Sequence, residues 1–193
     1  MNNSGTITIC RADELVEKVA QIKPAAVLSI EHPGVTPGEK GHAPRLTNGT
    51  PQLVLTFWDT EIKQVPQGPD LEQVERGLAF IMEHVTKGSD VIIHCHAGKS
   101  RSVAIALGVL SALHPHEDET ALIKKLLAIR PEAAPNIIIV EMIDKLTGRN
   151  GKLLKAVNDN ARLTAARKQA DIGRAKWREE NPEKISPFWR PKP

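Results

Sequence analysis

The sequence predicts an α/β fold: a central, mostly parallel sheet of four to five strands flanked by helices on both sides. Two observations carry that expectation. Short apolar, β-branched runs alternate with stretches of helical periodicity through residues 1–148. One of these runs, Val91-Ile92-Ile93-His94-Cys95, is followed within a few residues by an apolar helical stretch, so a loop of unusual composition sits at the carboxyl end of a central strand.

The elements follow in order. Thr6 to Ile9 alternates like a strand, Ala12 to Ile22 has helical spacing, and Ala25 to Ile30 is again strand-like. Residues 32–51 are rich in Gly, Pro, Thr and His and form a long loop, a kind of segment that commonly carries function. Leu53 to Asp59 reads as a strand ending in an aspartate. Asp70 caps a helix whose Leu71, Val74, Leu78, Ile81, Met82 and Val85 share one face up to Gly88. After the strand at Asp90 to Ile93, helices are expected over Ser102 to Leu113, Glu117 to Ile129 and Asn136 to Leu146.

Beyond residue 148 the composition changes. Residues 1–148 hold 14 Lys/Arg against 18 Asp/Glu, and residues 149–193 hold 12 against 5. We therefore divide the chain into a domain over 1–148 and a basic helical extension over 149–193. One helix with an apolar side, from Gly151 to about Trp177, is expected to pack on the domain and turn its basic face to solvent. The proline-rich end after Asn181-Pro182 is expected to be extended, with Phe188 and Trp189 able to dock it. No nucleic-acid partner is expected, because the basic stretch has few aromatics. No run approaches the ~20 apolar residues of a membrane span, and the first residues lack a signal-peptide layout, so a cytoplasmic protein is expected. The 2 cysteines, Cys10 and Cys95, fit a reducing compartment rather than a disulfide framework. Cys10 reads as a strand-end core residue, with no sequence support for a redox role.

The chemistry concentrates in His94-Cys95-His96-Ala97-Gly98-Lys99-Ser100-Arg101-Ser102. A cysteine at a strand-to-helix turn meets converging backbone N–H groups and the positive end of a helix, which favour both a tetrahedral dianion and a thiolate. A free thiol titrates near ~8.5, and such surroundings lower it to roughly 4–7. Arg101 adds a planar fork matched to two phosphate oxygens. Two other readings fail on composition. The nucleotide-binding loop imitated by Gly98-Lys99-Ser100 needs a glycine where Ile93 stands. A metal site at His94, Cys95 and His96 is disfavoured because adjacent strand residues face opposite ways and no second ligand pair occurs. No metal and no cofactor is expected.

His94-Cys95-x-x-Gly98-x-x-Arg101-Ser102 resembles the signature loop of the cysteine-dependent protein tyrosine phosphatases, in particular their small dual-specificity-like branch. Asp59, Arg130-Pro131 and Pro135-Asn136 resemble further elements of that family, and the likeness covers about residues 6–148. The resemblance implies catalytic roles for Cys95 (nucleophile), Arg101 (phosphate binding), Asp59 (general acid), Ser102 (support of the sulfur) and His94 (support of the loop). It implies phosphate binding by residues 96–101, namely His96, Ala97, Gly98, Lys99, Ser100 and Arg101, and a supporting role for Asn136. Glu61 and Asp70 rival Asp59 as the acid, Asp70 being the better helix cap.

The resemblance implies a phosphatase that hydrolyses phosphate monoesters through a phosphocysteine, with a phosphorylated protein as substrate and dual specificity left open. A phosphoinositide or inositol phosphate is the alternative, because His96 and Lys99 make the loop basic, although those enzymes carry lysine where His96 stands. A silent phospho-ligand-binding module is the alternative of another class. Sulfur transfer or arsenate reduction also uses a cysteine in an anion loop, but requires neither Asp59 nor Ser102.

Overall fold

Residues 5–182 are described by the computed structural model; Phe188, Trp189 and the proline-rich end lie outside them. Four strands form among the described residues: β1 (Ile7–Arg11), β2 (Ala26–Glu31), β3 (Gln52–Thr56) and β4 (Val91–Cys95). They pair in the order β1-β4-β2-β3, every pair parallel, so the fold class expected from the sequence is the one observed. β2 and β4 are buried along their whole length, as central strands of a covered parallel sheet must be.

A 3-10 turn (Ala12–Glu14) leads into α1 (Leu15–Ile22), which covers one face of the sheet through Leu15 and Val19 against Cys10, Val27 and Ile92. The other face carries the larger core and packs α2 (Leu71–Val85), α3 (Arg101–Leu113), α4 (Glu119–Ile129) and α5 (Ile137–Leu146). Asp70, Asp118 and Asn136 cap α2, α4 and α5 by accepting backbone N–H bonds, which fixes where each helix starts. α3 is buried from Arg101 to Ser111, and this holds the loop that precedes it against β4.

The extension forms two helices, α6 (Lys152–Asp159) and α7 (Ala161–Glu180), where the apolar spacing suggested one. Asn160 breaks the run: its backbone is extended and its side chain accepts from Leu163 N–H at 3.0 Å. Leu153, Val157 and Leu163 are fully buried in the same core as α3 and β4. Arg149 stitches the junction to the end of α3, donating to the Ser111 and His114 carbonyls. No helix among the described residues is long and apolar enough to cross a membrane.

Because α6 completes the core that α3 packs in, Leu153→Ala should lower stability by about 2–5 kcal/mol. Urea denaturation followed by tryptophan fluorescence and by far-UV circular dichroism should give one coincident transition; separate transitions would mean that the extension folds apart from the sheet.

Candidate active site

The loop from Cys95 to Arg101 has its shape forced by its carbonyls. The His96 carbonyl accepts from Ala12 N–H (3.3 Å), Lys99 from Ala134 (2.7 Å), and Ser100 from Ala104 (3.0 Å) and Asn136 (3.5 Å). With these three carbonyls engaged by the scaffold, the loop has N–H groups to offer to an anion. Gly98 is required here: its φ is +61°, and a Cβ would come within 2.5 Å of the Cys10 carbonyl oxygen at the end of β1.

Cys95 is 1% exposed, and its Sγ lies 3.2 Å from Ser102 Oγ in the first turn of α3. His94 is fully buried, and its Nε2 lies 2.7 Å from Ser29 Oγ, which in turn accepts from Gln52 Nε2 at 2.8 Å. Burial pulls its pKa down from 6.5 to about 4, with Arg101 adding repulsion, so the ring is neutral at pH 7 and acts as a strand-to-strand tie. Cys10 is also buried; burial first, and Glu14 and Cys95 after it, push its thiol up to about 12, which keeps it protonated.

Arg101 is 1% exposed. Its Nη1 donates to the Glu31 carbonyl (3.0 Å) and the Phe57 carbonyl (2.7 Å), which locks the guanidinium against the ends of β2 and β3. Its Nε is buried without a hydrogen-bond partner among the described residues. Buried N–H groups are nearly always paired, so this donor is set aside for something that enters the site.

Asp59 lies beyond the strand that the sequence has it ending, since β3 stops at Thr56. The chain turns away because Trp58 N–H bonds to the Gln67 carbonyl (2.9 Å). Asp59 nevertheless reaches the signature loop. Its Oδ1 accepts from Ser100 Oγ (2.8 Å) and Asn136 Nδ2 (2.9 Å). Asn136 also holds the Thr60 carbonyl (2.9 Å) while capping α5. The two rivals have other work. Asp70 caps α2, and Glu61 accepts from Ile137 N–H (3.1 Å) at the start of α5.

Cys95, His96, Ala97, Lys99, Ser100, Arg101 and Asp59 line one cavity of about 330 Å³. Gly98, Ser102, His94 and Asn136 support it from behind. The charge of the loop is smaller than its composition suggests. His96 is held below its ordinary pKa by burial and then by Lys40 and Arg101, and Lys99 pairs with Glu132 at 3.4 Å. The lining residues that sequence reasoning missed include His32, Lys40, Arg174 and Trp177. His32 and Lys40 come from the 32–51 loop, which Glu31 anchors by pairing with Arg45 at 2.9 Å. Burial works against the Glu31 carboxylate, but Arg45 and the Ala43 N–H outweigh it and hold its pKa below the usual range.

In the fold comparison, human DUSP28 superposes with a TM-score of 0.55 over 74% of this chain and 92% of its own, at 19% identity. The chain has the fold of the cysteine-dependent protein tyrosine phosphatase superfamily. The human tyrosine phosphatase-like serine/threonine/tyrosine-interacting protein shares it, with a TM-score of 0.60 at 14% identity over 74% of this chain and 91% of its own. PTPMT1 in complex with PI(5)P is another neighbour, with a TM-score of 0.55 at 18% identity over 78% of this chain and 93% of its own.

Sequence similarity lies in the same superfamily. Human dual specificity protein phosphatase 12 is 39% identical over 71 residues, covering 37% of this chain and 21% of that protein. Human phosphatidylglycerophosphatase and protein-tyrosine phosphatase 1 is 31% identical over 68 residues, covering 33% of this chain and 34% of that protein. The matches thus span between a fifth and about a third of those relatives. No family model matches the chain.

The buried neutral His94 makes stability depend on pH. Its pKa falls from 6.5 unfolded to about 4 folded, so the unfolded chain binds the proton first and stability drops as pH falls from about 6.5 toward 4. This one group accounts for a loss of roughly 3 kcal/mol across that window. Urea midpoints at pH 7 and pH 4 should converge by that amount in His94→Gln; an unchanged pH dependence would contradict the assignment.

Proposed function

We propose that the chain is a protein tyrosine phosphatase, with dual specificity open, that hydrolyses phosphate monoesters through a phosphocysteine on Cys95. The observation that carries this reading is one cavity lined by a buried thiol, a buried guanidinium with an unpaired N–H, and a carboxylate held in place. The Cys95 thiolate attacks phosphorus in line with the departing oxygen, while Arg101 and the loop N–H groups hold the equatorial oxygens as charge develops on them. Asp59 protonates the leaving oxygen. Its contacts with Ser100, Asn136 and Arg174 fall on Oδ1, which leaves Oδ2 as the oxygen for proton transfer. Asp59, then ionised, takes a proton from the water that attacks the phosphocysteine. The Ser102 hydroxyl donates to the sulfur as it departs as thiolate. Such chemistry suits a reducing compartment, and we place the protein in the cytoplasm.

A phosphorylated protein is the first substrate class. A phosphoinositide is the second reading, supported by Lys40 at the cavity and by the likeness to PTPMT1 in complex with PI(5)P. A silent phospho-ligand-binding module is disfavoured, because binding alone uses neither the Cys95–Ser102 contact nor a tethered Asp59.

Purified protein should hydrolyse para-nitrophenyl phosphate between pH 5 and 8, with vanadate inhibiting and chelators having no effect. Cys95→Ser should reduce turnover to background, and Arg101→Lys should cost at least about 10²-fold. Tight vanadate binding without turnover would contradict the enzyme reading and favour the binding module. Comparison of phosphopeptides with short-chain phosphoinositides then orders the substrate classes by kcat/KM.

A further inference from the structure

The last helix of the basic extension reaches the reacting end of the sheet. Arg174 of α7 lies with Nη1 3.5 Å from Asp59 Oδ1 and Nη2 3.5 Å from Glu61 Oε1, and Nη2 also meets Asp171 at 2.6 Å. Two turns earlier on the same face of α7, Arg167 meets Glu61 Oε2 at 3.4 Å. These are not surface pairs: the side chains of Arg167, Arg174 and Glu61 are only 16%, 11% and 15% exposed. Further along α7, Trp177 packs on Trp58 (5.7 Å between ring centres) and His32 (5.6 Å). Ala170, Gly173, Arg174 and Trp177 line the same cavity as Cys95.

We infer that α7 is a built-in strap for the acid-bearing segment, with Arg167 and Arg174 as positioning residues that hold Glu61, and through it Asp59, over the phosphate loop. The inference rests on the phosphatase reading. Two physical points support it. Glu61 is a carboxylate two residues from Asp59 beside a site for a dianion, so without compensating cations it would repel the substrate. The compensation comes from a helix that is part of the same core, through Leu163, so the strap is fixed by packing and not by the ion pairs alone. Glu61 is the hub: Oε1 takes the Ile137 N–H and Arg174, and Oε2 takes Arg167. The acid segment is thereby held from two sides, by the start of α5 and by α7.

The test separates positioning of the acid from support of the fold. Steady-state kinetics of the full chain are measured with para-nitrophenyl phosphate, whose leaving group needs little protonation, and phenyl phosphate, whose leaving group needs it. The variants are Glu61→Gln, which keeps the acceptor for Ile137 and removes the charge, the double variant Arg167→Gln/Arg174→Gln, and Arg174→Lys. For the first two, kcat/KM, which reads the step that expels the leaving group, should fall roughly 10- to 100-fold with phenyl phosphate, a part of what a general acid supplies. With para-nitrophenyl phosphate it should fall less than about 3-fold, a selectivity that follows from the acid being the group disturbed. Arg174→Lys should restore most of the loss, and in an Asp59→Asn background Glu61→Gln should add nothing. Equal losses with both substrates, or a further loss on top of Asp59→Asn, would overturn the strap and leave a purely structural helix. No loss with either substrate would overturn it too. Wild-type turnover that survives Cys95→Ser would instead mean that the phosphatase reading itself has failed.

Discussion

A buried cation without a carboxylate partner organises this end of the molecule. Arg101 is 1% exposed, its Nη1 bonds are to two neutral carbonyls, and it makes no ion pair among the described residues. Burying a charge without a counter-charge is expensive, so a fold keeps such a group only where the surroundings fix it and something else completes it. Much of the sheet's carboxyl edge does that fixing. The Glu31 carbonyl at the end of β2 and the Phe57 carbonyl after β3 hold the guanidinium, and α3 begins at Arg101 itself. In the proposed reaction a dianionic phosphate would supply both the missing charge and the partner for Nε, which would tie substrate affinity to the completion of this group.

The same logic extends outward to Asp59. Asp59 sits in irregular chain, where backbone bonds alone fix a side chain poorly, and it is held by bonds from the phosphate loop, from the α5 cap and from α7. Preorganisation of this kind trades adaptability for a short list of accessible geometries. The aromatic group of His32, Trp58 and Trp177 closes the wall above it, so the cavity is bounded by segments far apart in sequence: the 32–51 loop, the acid segment, the signature loop and the last helix.

What the sequence disclosed follows from where the signals are local. The strand into Cys95, Gly98 in its turn and the buried helix after Arg101 are contiguous, and periodicity together with one strained glycine suffices to read them. Asp70 was legible for the same reason, since a cap is decided within three residues. Asp59 was found as a residue but misplaced as a strand end, because the turn at Trp58 depends on Gln67 across a loop. The break at Asn160 was masked by apolar spacing that continues across it, although an asparagine there is itself a start signal for a helix. Arg174 and Trp177 carried no local mark of function. Their place at the cavity is set by how α6 and α7 fold back through Leu153, Val157 and Leu163, and composition shows only a basic helix.

The central claim is that Cys95 becomes covalently phosphorylated within a cradle completed by the substrate. Rapid acid quench of the full chain mixed with an aryl phosphate, followed by peptide mass spectrometry, tests it most directly. The account predicts one phosphoryl group on the peptide carrying Cys95, formed in a burst and accumulating further in Asp59→Asn, where hydrolysis of the intermediate is slowed. Turnover with no phosphoryl group on Cys95, or with the group on another residue, would contradict it.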